Sequence, residues 1–525
     1  MYRVYCLSIH VYFITSKKIN KKMRNAHSQM ENNLLVPKPS RAWHNLTYQH
    51  LTTLKLGELT PVGIIETVPG GKYIVGCESV VRFQPLVSPV MHRMDIKIHN
   101  FFVPIRTLWD GFEHFIQGKP DVITGVAPVP PYFLRSLLTR NTVTGTCNPP
   151  LADHFGFRFG DLADFDHNLN PLMFSAYQHI YNNYYRHKAV TPEVRYKCID
   201  GNNVSIIDEL TPIRKITYED DYFNLSLPSP QLGSSVFVDT DAAIMSQKAG
   251  TNIQSRIPGV ATYENTVVPN AVPNPNDGVP ADGLFARTRI LMEEIRRAAR
   301  LQEFTEMQRH ATTYKDYLQA MFDTNLPDFR AQIPVYINGF SQPIIVSEVT
   351  NQSDTFQGRQ TGNAGSYSTA EQEEFYAHEH GFIISIAAVT YKPAYIKAQP
   401  RHNFKQGRFD YFHPQFDTLG ERPLYQGELN GNATYLDKTF GYVPQNSEYR
   451  HTFDIITGEM ATLNAHWHLA RSLQKNPILS SDFFEVNDER RIFAFQNADY
   501  SPIILQVLHH INAELPIPSE NRPSI

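Results

Sequence analysis

The run GFIISIAAVTY, residues 381–391, is apolar at both parities. Successive side chains of a strand point to opposite faces. A strand of this composition therefore needs cover on both sides and hydrogen-bonding neighbours from elsewhere in the chain. Several segments qualify. PVGIIETV is followed by the turn former Pro69-Gly70-Gly71 and then by KYIVGCESVVRF. Met94, Ile96 and Ile98 alternate with Asp95, Lys97 and His99, and QPIIVSEV, 342–349, reads as a further strand. The alternation after His99 breaks into Phe101, Phe102, Val103 and Pro104. Leu108, Trp109, Phe112, Phe115 and Ile116 then recur at the spacing of one helix face, with Thr107 and Asp110 as a capping box at its start.

These strands are separated by insertions of very unequal length. The 36 Pro outnumber the 28 Gly and aromatics reach 12%, which suits stiff irregular loops and not a helical bundle. No alternation of strand and helix suggests a doubly wound sheet, so the pattern points to a β-sandwich or jelly roll with embellishments. Hydrophobic residues at 42% against 19% charged exclude global disorder. Residues 175–187 are a helix candidate with a tyrosine-rich face. A helix is expected over 285–322, with Leu291, Ile295, Ala298 and Ala299 as its buried stripe and Glu293 placed to pair with Arg296 and Arg297. Residues 202–283 are the most loop-like stretch, and most of the chain beyond 392 reads as irregular.

The formal charge of −4 does not signal a nucleic-acid partner, which would need a local basic surface. Cysteines at 6, 77, 147 and 198 have neither zinc nor redox spacing and point to a reducing compartment. The first fifteen residues are too short to span a bilayer, their basic residues follow the apolar run, and no later segment is long enough, so a soluble chain without membrane insertion is expected. His378 and His380 flank Glu379; on a strand they would share a face and could hold a metal, as in a cupin-like enzyme. The most basic aromatic segment is 391–414. Lys392, Lys397, Arg401, Lys405 and Arg408 alternate there with rings that include Phe404 and Tyr411. Cations track a phosphate backbone while rings stack on unpaired bases, so these seven side chains are the DNA-contact candidates. A subunit or core contact is the competing use of the same rings.

The stretch PVMHRMDIKIHNFFVPIRTLWDGFEHFIQG, 89–118, resembles the major capsid protein of microviruses, in particular the gokushovirus branch of small single-stranded DNA bacteriophages. DYFNLSLPSPQLG, LMEEIRRAARLQEF, EHGFIISI, PRHNFKQGRFDYFHPQFDTLGERPL, FGYVPQNSEYR, HWHLAR and RRIFAF agree in order, so the similarity spans about residues 45–496. The resemblance implies a mainly β fold, a single eight-stranded jelly roll of viral capsid type with long loop insertions and a few helices. It implies a subunit that tiles a T=1 icosahedral shell around circular single-stranded DNA, with no cofactor and no enzymatic activity. Expected partners are other copies, the packaged DNA, internal scaffolding, DNA-pilot and small DNA-binding virion proteins, and a bacterial surface receptor. The expected places are the virion and, during assembly, the host cytoplasm. Phe101, Phe102, Trp109, Phe112 and Trp467 are the structural or assembly candidates. The expected organisation is an N-terminal arm, 1–55, a capsid domain, 56–496, and a C-terminal arm, 497–525, with 233–283 as a variable outer loop. Residues 1–22 match nothing in the family and are expected to be dispensable, with Met23 as the working initiator.

Overall fold

The computed structural model describes residues 40–120, 125–134, 139–140, 147–157, 168–230, 253–255, 264–266, 292–307, 313–350, 360–369, 371–417 and 420–519. Eleven strands make two sheets: β1 Ala42–Asn45, β2 Tyr48–Leu54, β3 Thr60–Thr67, β4 Lys72–Phe83, β5 Met94–Pro104, β6 Val335–Pro343, β7 Ile345–Thr350, β8 Gln360–Thr369, β9 Glu373–Tyr376, β10 Gly381–Tyr391 and β11 Ile503–Leu515. The seven-stranded sheet is centred on β11 and β4. Strands β1 and β2 share the far edge of β11, β8 and β9 share the far edge of β4, and β7 closes the sheet beside β8. The four-stranded sheet runs β6-β5-β10-β3. All these pairings are antiparallel.

Alternation decides which side of each strand is buried. Ile503, Leu505, Val507, Ile511, Ala513 and Leu515 turn inward from β11; Tyr73, Val75, Cys77, Val81 and Phe83 do so from β4. They meet Ile96, Ile98 and Phe102 of β5 and Ile383 of β10 in continuous apolar clusters between the sheets. Each Val, Leu, Ile or Phe among them contributes about 1.5–3 kcal/mol by leaving water. The layer also holds a polar relay: Asn100 Nδ2 donates to Asn338 Oδ1 (2.7 Å) and Asn338 Nδ2 to the Val75 carbonyl (2.9 Å).

All eleven residues of β10 are buried, which the apolar run requires. Its outward face is covered by insertions. Helix α1, Leu172–Ile180, continues into a π-helical turn at Tyr181–Tyr185, and the sequence-expected helix at 175–187 is these two pieces. Phe101 packs outward on Tyr184 (4.8 Å between ring centres), and His99 Nδ1 meets the Tyr185 hydroxyl at 2.7 Å. Phe102 faces the other way, 4.8 Å from Phe375. The two adjacent phenylalanines thus serve opposite faces of one strand. Gly381 is required here, because a Cβ would stand 2.5 Å from the Phe102 ring and the Val103 carbonyl.

The free edge of β3 is closed by side chains. The Val62 carbonyl accepts from His50 Nδ1 (2.6 Å) and His509 Nε2 (2.8 Å), and Ile64 N donates to the Tyr48 hydroxyl (3.1 Å). A carbonyl only accepts, so both imidazoles present N–H to it. Gly63 makes room, since a Cβ would lie 2.7 Å from the His509 ring. The two sheets are stitched along this seam without a backbone ladder.

Several expectations change. The helix expected from Leu108 to Ile116 is two short helices, Ile105–Leu108 and Phe112–Gln117, with Trp109 extended between them. Thr107 Oγ1 donates to the Pro104 carbonyl (2.8 Å) and Asp110 pairs with Lys197 (2.9 Å), so they form no capping box. The helix breaks because Cys198 N takes the Leu108 carbonyl (2.9 Å) and Trp109 Nε1 donates to Asp200 (2.6 Å). The single helix expected over 285–322 is described as Met292–Met307 and Tyr314–Phe322. Thr313 and Asp316 form a capping box that starts the second, and 285–291 lie outside the described residues. Residues 503–515, expected within a C-terminal arm, form a central strand, and β1 and β2, expected within the N-terminal arm, pair with it. The loop 233–283 lies outside the described residues apart from a small hairpin, Ile253–Ser255 with Glu264–Thr266, and residues 1–22 lie outside them altogether.

Burial pushes His99, His154, His179 and His509 down to about 4. An unfolded histidine titrates near 6.5, so between pH 6.5 and 4 the unfolded chain binds more protons at these sites. Their contribution is complete above that window, falls as pH falls through it and is flat below. Burial raises Glu58, Asp221, Glu485 and Glu489, which act in the opposite sense. The contribution of His509 is isolated by comparison with His509→Gln. The stability difference between wild-type and variant subunits should fall by about 1.4 kcal/mol per pH unit between 6.5 and 4. Urea unfolding at successive pH values measures it, and a constant difference refutes it.

Candidate nucleic-acid interface

Segment 391–414 leaves the sandwich at the end of β10 and continues as irregular chain with 3-10 turns at Arg401–Phe404, Arg408–Asp410 and Pro414–Phe416. It packs against a hairpin, Glu421–Tyr425 with Thr439–Pro444, and against the segment 221–227 through a separate apolar cluster of Tyr222, Phe223, Tyr395, Leu424, Leu429, Val443 and Phe483. The basic and aromatic side chains that alternate in sequence are sorted by this packing.

Arg401 and Lys405 are consumed internally. Arg401 Nη1 pairs with Glu428 Oε1 (2.7 Å), and Glu428 is fully buried. Glu428 Oε2 accepts from the Tyr222 hydroxyl (2.7 Å), which in turn accepts from Arg422 Nη2 (2.9 Å). Arg422 pairs with Glu448 Oε2 (2.8 Å), whose other oxygen takes Lys405 Nζ (3.1 Å). Lys405 also donates to the Tyr449 hydroxyl (2.9 Å). The result is one chain of alternating charge that ties four distant segments together. Burial and the Glu428 carboxylate push the Tyr222 phenol up, so it stays a donor. A second buried cation, Arg471, lies over the rings of Phe483 (4.3 Å), Tyr218 (4.6 Å) and Tyr395 (5.6 Å). The Tyr395 hydroxyl donates to Asp221 Oδ2 (2.8 Å), and the other oxygen of Asp221 caps the Phe223 and Asn224 N–H groups. Burial raises Asp221 against these hydrogen bonds.

Of the other DNA-contact candidates, Lys397 and Arg408 are exposed, Lys392 is half exposed in a pair with Asp454 (2.9 Å), and Phe404 is half-buried. Tyr411 is 57% exposed, with Lys405 Nζ 5.7 Å from its ring. Tyr391 and Tyr395, from the same run, are buried. The seven candidates therefore do not form one continuous basic-aromatic groove. Tyr222, Arg422, Glu428 and Glu448 were not singled out from the sequence. The only signal for Tyr222, Arg422 and Glu448 was their place in the family-like stretches 221–233, 400–424 and 440–450, and Glu428 lies outside all three.

Among the assembly candidates, Trp109 is buried and holds the 198–200 segment, while Phe112 is half-buried with its ring 5.7 Å from His380. The Trp467 carbonyl accepts from Met91 N (2.8 Å) and its ring is half exposed. The metal alternative does not match the geometry. His378 and His380 lie in the bend before β10, against the Tyr376 and Phe112 rings, and Glu379 between them is taken by Arg106 (3.0 Å). Among the described residues no three His, Cys, Asp or Glu side chains stand close enough to hold an ion, and no helix is long and apolar enough to cross a membrane.

Residues 35–525 match the family described as Capsid protein (F protein). The chain is 27% identical over 506 residues to Capsid protein VP1 of Bdellovibrio phage phiMH2K, an alignment covering 89% of this chain and 92% of that one. It is 26% identical to Capsid protein VP1 of Chlamydia phage 1, with 90% and 93% covered. It is 23% identical to Capsid protein VP1 of Spiroplasma virus 4, with 92% and 94% covered.

Removal of one partner from a buried pair leaves an uncompensated charge. Glu428→Ala should cost the isolated subunit about 3–5 kcal/mol, while Arg408→Ala, at an exposed site, should stay within about 0.5 kcal/mol. Urea midpoints of the two variants check the contrast.

Proposed function

The chain belongs to the Capsid protein (F protein) family and is a virion protein of the microvirus type, and from that premise we propose that its copies close into a T=1 icosahedral shell around circular single-stranded DNA and take part in host attachment. The observation that carries this reading is the strand order. With β1 and β2 counted as one interrupted strand, and β8 and β9 as another, the two sheets read β2-β11-β4-β8 and β3-β10-β5-β6. We take this as the eight-stranded jelly roll that the sequence led us to expect, with β7 added at one edge. The first and last strands being neighbours, and the chain crossing between the sheets at each of the eight strands except from β5 to β6, support it.

The connection from Pro104 to Val335 leaves and returns at β5 and β6, neighbours in the smaller sheet. Its described part at Leu172–Tyr185 covers the outer face of that sheet. Residues 233–283 fall within the same connection. Loops held by a rigid scaffold are the usual carriers of recognition, and we assign host attachment to this one. Packaged DNA is assigned to the cations that the fold leaves available at the start of the basic segment, Lys397 and Lys392. The Lys392–Asp454 pair is exposed on both sides and contributes little to holding the lysine back. Internal scaffolding, DNA-pilot and small DNA-binding proteins complete the partners in this reading, with assembly in the host cytoplasm.

Electron microscopy of purified particles tests the shell: closed particles of a single small size are expected, and open sheets or small oligomers overturn it. If Lys397 touches a phosphate, Lys397→Gln should lower the slope of log affinity for single-stranded DNA against log salt by about 0.7; an unchanged slope removes it from the contact. Replacement of residues 240–280 by a short Gly-Ser linker should leave shells that form but no longer adsorb to the host. Failed assembly, or normal adsorption, counts against the loop.

A further inference from the structure

Beyond Lys405 the basic segment displays a cluster of rings that the subunit itself leaves open. Phe409 is 61% exposed, Tyr449 59% and Phe412 46%. The rings are already packed on one another: Phe409 stands edge-on to Phe416 (5.8 Å) and Phe412 edge-on to Tyr449 (5.9 Å). Their backbone is held by Asp410, whose carboxylate accepts the Gly407 (2.7 Å) and Gln406 (2.9 Å) N–H groups, and by Pro414 at the start of the last turn. A surface organised in advance loses little freedom when it is covered.

The charges around the cluster decide between a nucleic acid and a protein as its cover. A groove that follows a phosphate backbone needs unpaired cations. Here Lys405 is paired with Glu448, and Arg450 makes a two-oxygen contact with Asp417 (2.9 and 2.7 Å). Arg408 lies over the Phe409 ring at 4.5 Å. The patch is thus apolar and aromatic at its centre, with two ion pairs at its margin and the Arg408 cation laid on a ring instead of standing free. That is the anatomy of a protein interface, in which aromatics and Arg are enriched and unpaired charges are kept from the core. Exposed clusters of this kind mark contact sites. A shell subunit meets copies of itself on every side, which makes a second copy the partner at hand.

We propose that Phe409, Phe412, Phe416 and Tyr449 seat against a second copy of this chain and form the apolar centre of a subunit contact. The inference deepens the shell reading by naming the surface, and it separates two functions within one segment. The lysines at its start face DNA; the rings at its end face a neighbour.

Benzoylphenylalanine placed at Phe409 or Phe412 in purified particles tests it by photo-crosslinking. The expected product is a covalent dimer of the chain that survives nuclease. Nuclease-sensitive DNA adducts, a crosslink to a different virion protein, or no crosslink would each overturn the proposal. Phe412→Asp should keep the subunit's melting temperature and reduce particle yield at least ten-fold; normal yield overturns it. If that variant fails to fold, the milder Phe409→Ala takes its place under the same criterion. Crosslinked dimers in a preparation that forms no closed shell would sink the T=1 reading and leave the contact standing.

Discussion

The structure depends on the pairing of β5 with β10. Met94–Pro104 and Gly381–Tyr391 align over their full lengths without a register shift, although nearly three hundred residues separate them. A one-residue slip would exchange the faces of every side chain on a strand. It would place Phe101 between the sheets and Phe102 among the tyrosines of the insertion. Because β10 is buried on both faces, neither error has a solvent-exposed escape. With this pair fixed, β3 and β6 can only add at its edges, and every long insertion must begin and end at a strand terminus.

The second sheet is joined to this pair by side chains more than by backbone. Tyr48, His50 and His509 satisfy the free edge of β3 at Val62 and Ile64. An unsatisfied buried carbonyl costs more than a hydrogen bond gains, so these contacts specify how the sheets meet. Close approach at Gly63 is part of the same arrangement. The seam also sets a condition on protonation, since burial pushes the His509 ring down to about 4.

Away from the sandwich, order comes from charge. The chain of Arg401, Glu428, Tyr222, Arg422, Glu448 and Lys405 fixes segments that have little regular structure to hold them. Replacing such networks by apolar residues can leave stability unchanged or improve it. What the network provides here is position. It holds the 401–416 turns so that the rings beyond Lys405 stand outward as a group. Where sequence offered cations and rings in alternation, the fold sends the first tyrosines inward, neutralises the middle cations and displays the last rings.

The central strands follow from local pattern. Residues 72–83, 94–99 and 381–391 carry alternation, or its absence, strongly enough to set strand, face and burial, because side-chain period and apolar pattern are local properties; that the strand runs on through Phe101 and Phe102 to Pro104 came from its pairing with β10. Order-matched segments were enough to indicate the capsid family. The pattern of Ile503, Leu505, Val507, Ile511 and Ala513 was present in the sequence too. Its outward positions, among them Ile504 and Leu508, blurred the period, and only the pairing with β2 and β4 makes it central. The break at Trp109 and the sorting of Arg401 and Lys405 away from the surface depend on partners remote in sequence: Cys198 and Asp200 for Trp109, Glu428 and Glu448 for the cations. The second helix starts at a local signal, the Thr313–Asp316 box, which the expectation of one long helix ran over. A lysine or arginine looks the same in sequence whether its carboxylate is beside it or absent, and only the fold brings the carboxylate within 3 Å or so of the cation.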